Sequence, residues 1–305
     1  MNIDLSVKIG KIKLKNPILL ASGTAGWYKE LERFVDLRKL GAIVTKTITL
    51  NPCVGNNPPR TCETPLGLLN AIGLENPGFE VFVKENLGYL KRVGIPIIVS
   101  IAAKDDLKEF VELTKKLDKI KEVLGIELNI SCPNLINKRE LIAQDKDLTS
   151  KVIKSVRKTT SKTLIAKLSP NVTSISEIAL SAQTAGVDAV SLINTVSAMA
   201  VNIETRRPKL KVVFGGLSGP AIRPIALRMV WETYQKIKIP IIGMGGIIDA
   251  PSAIEFFLCG ATAVAIGTAN FINPKASLEI IFGIKEYLVR KKIKSIKGLR
   301  GSLIQ

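Results

Sequence analysis

The feature that most constrains the fold of this chain is an eightfold alternation of short apolar runs with longer amphipathic stretches. The runs are β-rich and fall at residues 17–22 (PILLAS), 42–47 (AIVTKT), 96–102 (PIIVSIA), 126–131 (IELNIS), 163–169 (TLIAKLS), 189–195 (AVSLINT), 240–245 (PIIGMG) and 263–268 (AVAIGT). Eight strands, each followed by a helical pattern, is the count of a (β/α)8 TIM barrel, an α/β fold. A doubly wound sheet would leave the eighth unit unplaced. Gly41, Gly94, Gly125, Gly186 and Gly260 each stand just before a strand, where a helix is expected to end on a left-handed cap. Residues 1–305 are read as one barrel domain, with a short N-terminal β-hairpin around Gly10 (residues 3–9 and 11–15) closing its bottom. Two connections after strands, residues 50–78 and 197–220, far exceed the usual length of about two to six residues. In a barrel, such long βα loops lie on the C-terminal face, where active sites are built.

Composition narrows the chemistry. The 305 residues carry 44 Lys+Arg against 26 Asp+Glu, a formal charge of +18, and no histidine. Histidine-based triads and histidine-ligated metals are therefore excluded. The four cysteines, Cys53, Cys62, Cys132 and Cys259, show no C-x-x-C pairing, so neither an iron–sulfur cluster nor another metal site is expected on this chain. The N-terminus lacks a signal-peptide layout, and the most apolar region, residues 239–272, is interrupted by Asp249 and Glu255, so a cytoplasmic protein without a membrane segment is expected. The lysines sit mostly on the polar sides of helical stretches such as residues 105–121, which argues for solvated faces and against nucleic-acid binding. Only residues 285–297 (KEYLVRKKIKSIK) form a dense basic run, read as a solvated helix end or as a docking surface for an anionic partner.

The polar residues at the strand ends are the candidates for chemistry: Ser22, Lys46 with Thr47, Ser100, Asn129 with Cys132, Lys167, and Asn194 with Thr195. Lysines in apolar strands are costly to bury unless an anion meets them, and two at matching strand ends point to a bound anion over a structural ion pair. Gly245–Gly246 and Gly267–Thr268 end the last two strands, an arrangement whose exposed backbone N–H groups cradle phosphate. No G-x-G-x-x-G follows a strand, so a bound nicotinamide dinucleotide has no expected site. With histidine absent, Cys132 is the ordinary candidate for a base or nucleophile near neutral pH; Cys259 reads as core, and Cys53 and Cys62 as incidental loop residues.

These residues resemble a known family. The string NISCPN at residues 129–134, the loop ETPLGLLNAIGLENPG at residues 63–78, the Lys46–Thr47 pair and the two glycine turns look like class 1 dihydroorotate dehydrogenases, close to the 1B branch, over residues 14–273. The resemblance implies a barrel that binds FMN and oxidises dihydroorotate to orotate in pyrimidine biosynthesis. It places flavin contacts at Ser22, Lys46, Thr47, Asn129, Lys167, Ile193, Gly219, Gly245, Gly246, Gly267 and Thr268. Ser100, standing where the family usually has asparagine, would make a weakened or water-mediated contact. Substrate contacts fall on Lys46, Asn70, Ala71, Ile72, Gly73, Leu74, Asn129, Asn194 and Thr195, and Cys132 becomes the base. The resemblance further implies a homodimer assembled with a second subunit carrying FAD and a [2Fe–2S] centre that passes electrons to NAD. After Asn134 the run LINKRE (residues 135–140) replaces the glycines and aromatic usual in the branch. Fumarate, the acceptor of the 1A branch, would need no partner. The competing readings are a tRNA-dihydrouridine synthase, a dihydropyrimidine dehydrogenase-like flavoenzyme, and a non-catalytic flavin or nucleic-acid binding module.

Overall fold

The computed structural model describes residues 3–131 and 142–304. Eight parallel strands close into a barrel in chain order: β1 (Ile18–Leu20), β2 (Ala42–Val44), β3 (Ile97–Ile101), β4 (Val123–Asn129), β5 (Thr163–Lys167), β6 (Ala189–Leu192), β7 (Ile241–Gly243) and β8 (Ala263–Ile266), which returns to pair with β1. All eight coincide with expected runs. Their C-terminal ends are shorter than the sequence runs because residues such as Lys46, Thr47, Asn194 and Thr195 leave the ladder and face the barrel mouth. β4 instead starts three residues early, at Val123 rather than 126. Seven of the strands are buried along their whole length, as a sheet covered by side chains inside and helices outside requires.

The helices obey the same partition. Lys108–Asp118 buries Phe110, Leu113, Thr114 and Leu117 along one stripe, while Lys108 and Lys115 face solvent. Lys146–Arg157 starts where the Asp145 carboxylate accepts from the N–H groups of Asp147 and Leu148 at 2.7 and 3.1 Å, which satisfies two donors the first turn leaves open. The expected helix is missing once. Between β1 and β2 lie only two 3₁₀ turns, Leu31–Arg33 and Leu37–Lys39. Gly23, Gly26 and Tyr28 there take φ of +82°, +52° and +71°, which no right-handed helix admits. Tyr28 turns inward instead, its buried hydroxyl donating to the Val44 carbonyl at 2.6 Å.

The hairpin closes one end as expected. Val7–Ile9 pairs antiparallel with Ile12–Leu14 around Gly10, and the Lys11 N–H donates to Thr163 Oγ1 at 2.9 Å, at the start of β5. Ile9 and Leu14 are fully buried there. The chain's last segment is tied to this closed end, with Ile296 N–H donating to the Asp4 carbonyl at 2.9 Å and Asp4 N–H to the Lys294 carbonyl at 3.0 Å. The basic run therefore ends opposite the barrel mouth, with Lys291, Lys292, Lys294 and Lys297 exposed. Over the mouth the two long connections pair with each other. They form a four-stranded antiparallel roof in the order Val196–Ala198, Gly215–Ser218, Gly67–Asn70, Thr61–Thr64.

Two of the five expected cap glycines serve a different purpose. Gly94, Gly186 and Gly260 have positive φ, whereas Gly41 and Gly125 do not. A Cβ on Gly41 would lie 2.2 Å from the Asn16 carbonyl oxygen, and one on Gly125, inside β4, would lie 2.9 Å from Ile12 Cδ1. Both positions are glycine for close approach. Backbone cannot yield where a side-chain tip can, so Gly41→Ala is expected to cost about 1–3 kcal/mol or more and Gly125→Ala clearly less. Urea-denaturation midpoints of the two variants check the order.

Candidate active site

One cavity of about 860 Å³ fills the barrel mouth beneath the roof. The strand ends supply its floor: Ser22 follows β1, Lys46 and Thr47 follow β2, Asn129 and Lys167 end β4 and β5, and Ile193, Asn194 and Thr195 follow β6. Gly245 and Gly246 follow β7, Gly267 and Thr268 follow β8, and Gly219 comes from the end of the roof. The roof connection brings in Asn70, Ala71, Ile72, Gly73 and Leu74. Residues from all parts of the chain thus meet on one surface. Ser100 does not reach it. It is fully buried, it does not line the cavity, and its hydroxyl sits 3.0 Å from Thr47 Oγ1, so its contact is with the residue that does line it. Cys132 lies outside the described residues, as does the 135–140 run after it.

A hydrogen-bonded arc joins the polar side chains. The Ser22 hydroxyl donates to the Thr45 carbonyl at 2.7 Å and lies 3.1 Å from Thr47 Oγ1, which accepts from Asn129 Nδ2 at 3.1 Å. Asn129 Oδ1 accepts from the Ser131 hydroxyl at 3.0 Å, and Ser131 Oγ accepts from Asn194 Nδ2 at 2.7 Å. Asn194 Oδ1 in turn takes the Thr195 N–H at 2.8 Å. Each amide is held with its donor and acceptor ends assigned, which is the condition for reading a ligand's own donors and acceptors. From the roof, Asn70 Nδ2 donates to the Gly216 carbonyl at 3.2 Å.

The charged groups at the strand ends are cationic, and the carboxylate that lines the cavity, Glu75, is paired with Arg60 at 2.5 Å. Lys167 is 5% exposed and Lys46 is half-buried, and no carboxylate lies within ion-pair distance of either among the described residues. No direct ion pair therefore occupies either ammonium among the described residues, and two such groups facing one cavity call for an anion. At the glycine turns the N–H groups of Gly246, Gly267 and Thr268 donate to no acceptor among the described residues. Gly245 and Gly246 have φ of +126° and +74°, and a Cβ on Gly246 would meet Arg223 Cβ at 2.7 Å, so the chain passes close behind the turn. A Cβ on Gly267 would meet nothing closer than 3.8 Å. The cradle is tight behind, open in front, and lined with unpaired donors, which fits a phosphate.

Three polar residues of the site are not evident in the sequence. Ser131 bridges the two asparagines, and its only signal is its place beside Cys132. Asn171 holds the β6 connection, its Nδ2 donating to the Thr195 carbonyl at 3.2 Å and its Oδ1 accepting from Ser197 N–H at 2.8 Å. Ser218 accepts from the Thr268 hydroxyl at 2.8 Å and donates to the Leu68 carbonyl at 3.1 Å, tying the last glycine turn to the roof. Among the other cysteines, Cys53 donates to the Gly73 carbonyl at 3.4 Å, so it supports the 70–74 segment rather than being incidental. Cys259 is half-buried, and that burial raises its thiol pKa, with Glu255 adding to the effect. No group of metal-ligating side chains occurs among the described residues, and no helix among them is long and apolar enough to cross a membrane.

The dihydroorotate dehydrogenase family model matches residues 4–288. The chain is 52% identical over 301 residues to the "Dihydroorotate dehydrogenase B (NAD(+)), catalytic subunit" of Caldicellulosiruptor bescii, covering 99% of both chains. It is 50% identical over 300 residues to the protein of the same description from Geotalea daltonii, covering 98% of each, and 49% identical over 301 residues to that of Thermoanaerobacter pseudethanolicus, covering 99% of each. A closed eight-stranded barrel with an anion-seeking mouth, matched along nearly its whole length by one family, makes this chain a member of the dihydroorotate dehydrogenase family, a flavin-dependent oxidoreductase.

Proposed function

We propose that the chain is the catalytic subunit of an NAD-linked dihydroorotate dehydrogenase that oxidises dihydroorotate to orotate with FMN as its resident flavin. The observation that carries this reading is the joining, in one cavity, of a cradle of unpaired N–H groups at the β7 and β8 ends with an asparagine arc and two lysines at the β2 to β6 ends. A phosphate suits the first and a planar anionic ring the second. Gly219, Gly245, Gly246, Gly267 and Thr268 would hold the FMN phosphate, and Ser22, Thr47, Ile193 and Lys167 its ring system. When bound, FMN accepts the hydride from C6 of the substrate.

The chain's own residues do the rest. Lys46 would pair with the substrate carboxylate or the flavin. Asn70, Asn129 and Asn194, with Thr195, would read the ring amides and carboxylate by their fixed donors and acceptors. The segment Ala71, Ile72, Gly73 and Leu74 would close over the ring from the roof and exclude water. Cys132, two residues beyond the fully buried Ile130, would take the proton from C5 as a thiolate. Ser100 acts through Thr47 and makes no contact of its own. Lys167 would stabilise the negative charge that accumulates on reduction.

The full-length relatives are described as NAD(+) catalytic subunits, and the chain offers no dinucleotide fingerprint. A homodimer of this chain working with a subunit that bears FAD and a [2Fe–2S] centre accounts for both. Such a partner must approach the flavin, so it docks at the mouth. The exposed basic side chains at positions 291–297 lie at the closed end and cannot serve that contact.

Three outcomes test the reading. Gly267→Asp, at a position with room for a side chain, is expected to fold normally yet lose its yellow colour, because a carboxylate repels the phosphate; full FMN content by absorbance would overturn the cradle. Cys132→Ala is expected to keep FMN and lose about 10²–10⁴-fold in the rate of flavin reduction by dihydroorotate, with Cys132→Ser recovering activity at high pH; fast anaerobic bleaching of the alanine variant at neutral pH would remove the cysteine from this role. The isolated, dihydroorotate-reduced chain is expected to stay reduced when mixed anaerobically with NAD or fumarate, and rapid reoxidation by either would overturn the need for a second subunit.

A further inference from the structure

Glu127 is a buried carboxylate that none of the chemistry above uses. It lies on β4, is 2% exposed, and its Oε2 accepts from the Ser191 hydroxyl at 2.9 Å, while its Oε1 is buried with no hydrogen-bond partner among the described residues. A buried acidic oxygen with no donor is costly and calls for an explanation. Its placement supplies one. Glu127 precedes Asn129 by two residues, so both side chains project to the same, inward face of the barrel. Asn129 pairs in register with Lys167, and Lys167 pairs in register with Ser191, the residue that holds the Glu127 carboxylate. Among the described residues the ammonium of Lys167 has no anion and the Oε1 of Glu127 has no donor, and the two sit one inward layer apart on adjacent strands. Strand spacing and rise put their Cα atoms roughly 8 Å apart, within the combined reach of the two side chains. The buried Tyr28 phenol also lies near Glu127: its pKa is raised chiefly by burial, with the Glu127 carboxylate adding to the effect.

We propose that Glu127, fixed by Ser191, is the counter-charge beneath Lys167: a positioning residue that holds the ammonium at the cavity floor and limits how much positive charge the flavin meets. This rests on FMN binding over Lys167 as proposed above. Without the carboxylate the floor becomes more cationic, and the anionic reduced flavin is stabilised relative to the oxidised one.

The test is the reduction potential of the FMN-loaded protein, read by dye equilibration, together with its affinity for sulfite, which adds to flavin N5 more tightly as nearby positive charge grows. Glu127→Gln is expected to favour two-electron reduction about tenfold, which is about 30 mV for such a couple, and to tighten sulfite binding. Glu127→Asp, which keeps the charge, is expected to stay near the parent protein. If Glu127→Gln does not load FMN, Ser191→Ala reads the same charge, because loss of its hydroxyl disfavours the ionised carboxylate and moves both readouts in the same direction by less. A lowered melting temperature with both readouts unmoved in whichever variant loads FMN would overturn the counter-charge and leave a packing role. A parent protein that binds no FMN would instead overturn the proposed function on which the inference rests.

Discussion

Everything at the mouth of this protein depends on barrel closure by the pairing of β8 with β1. Closure makes the inward face of every strand part of one enclosed column, so the residue that ends each strand must face its counterparts from the other seven. That converts positions as far apart in the chain as Ser22 and Thr268 into neighbours without any contact between them being encoded locally. It also decides which polar groups are affordable. A lysine or asparagine at the top of a strand still reaches the cavity, whereas a carboxylate one layer down, such as Glu127, has only other side chains to answer it.

The barrel itself was legible because strand and helix periods differ, and the eightfold alternation survives any uncertainty about where each element ends. The strand-end residues were legible for a related reason: Lys46 and Lys167 interrupt the second and fifth apolar runs at the same place, which in a barrel puts both at the mouth. Ser100 interrupts its run too, but it falls before the strand's end, and a hydroxyl that stops one layer short touches Thr47 and not the cavity. Depth along the strand is a matter of register, which composition does not carry.

Other features were hidden because they are properties of three-dimensional approach. A glycine needed for left-handed backbone and one needed for contact look alike in sequence, and Gly41 and Gly125 prove to be of the second kind. The helix missing after β1 left an amphipathic pattern in place, since Leu31, Val35, Leu37 and Leu40 bury themselves from 3₁₀ turns and irregular chain as well as from a helix. The basic run was visible as charge, while its position at the closed end follows only from the direction in which the last helix, Ala276–Arg290, travels. Ser131, Asn171 and Ser218 make hydrogen bonds that link separate connections, and nothing in their immediate neighbours marks them.

The roof has a consequence for how the protein becomes active. Its central pairing joins residues 67–70 to residues 215–218 across about half the chain. Loop-closure entropy makes such a pairing costly until the intervening segments have been drawn together, and those segments carry the barrel strands β3 to β6, so the roof depends on the barrel beneath it. A barrel without that pairing would have an assembled floor and an open ceiling. In that state the mouth admits water and any anion of suitable size, and only completion of the long-range pairing gives it a reason to choose among them.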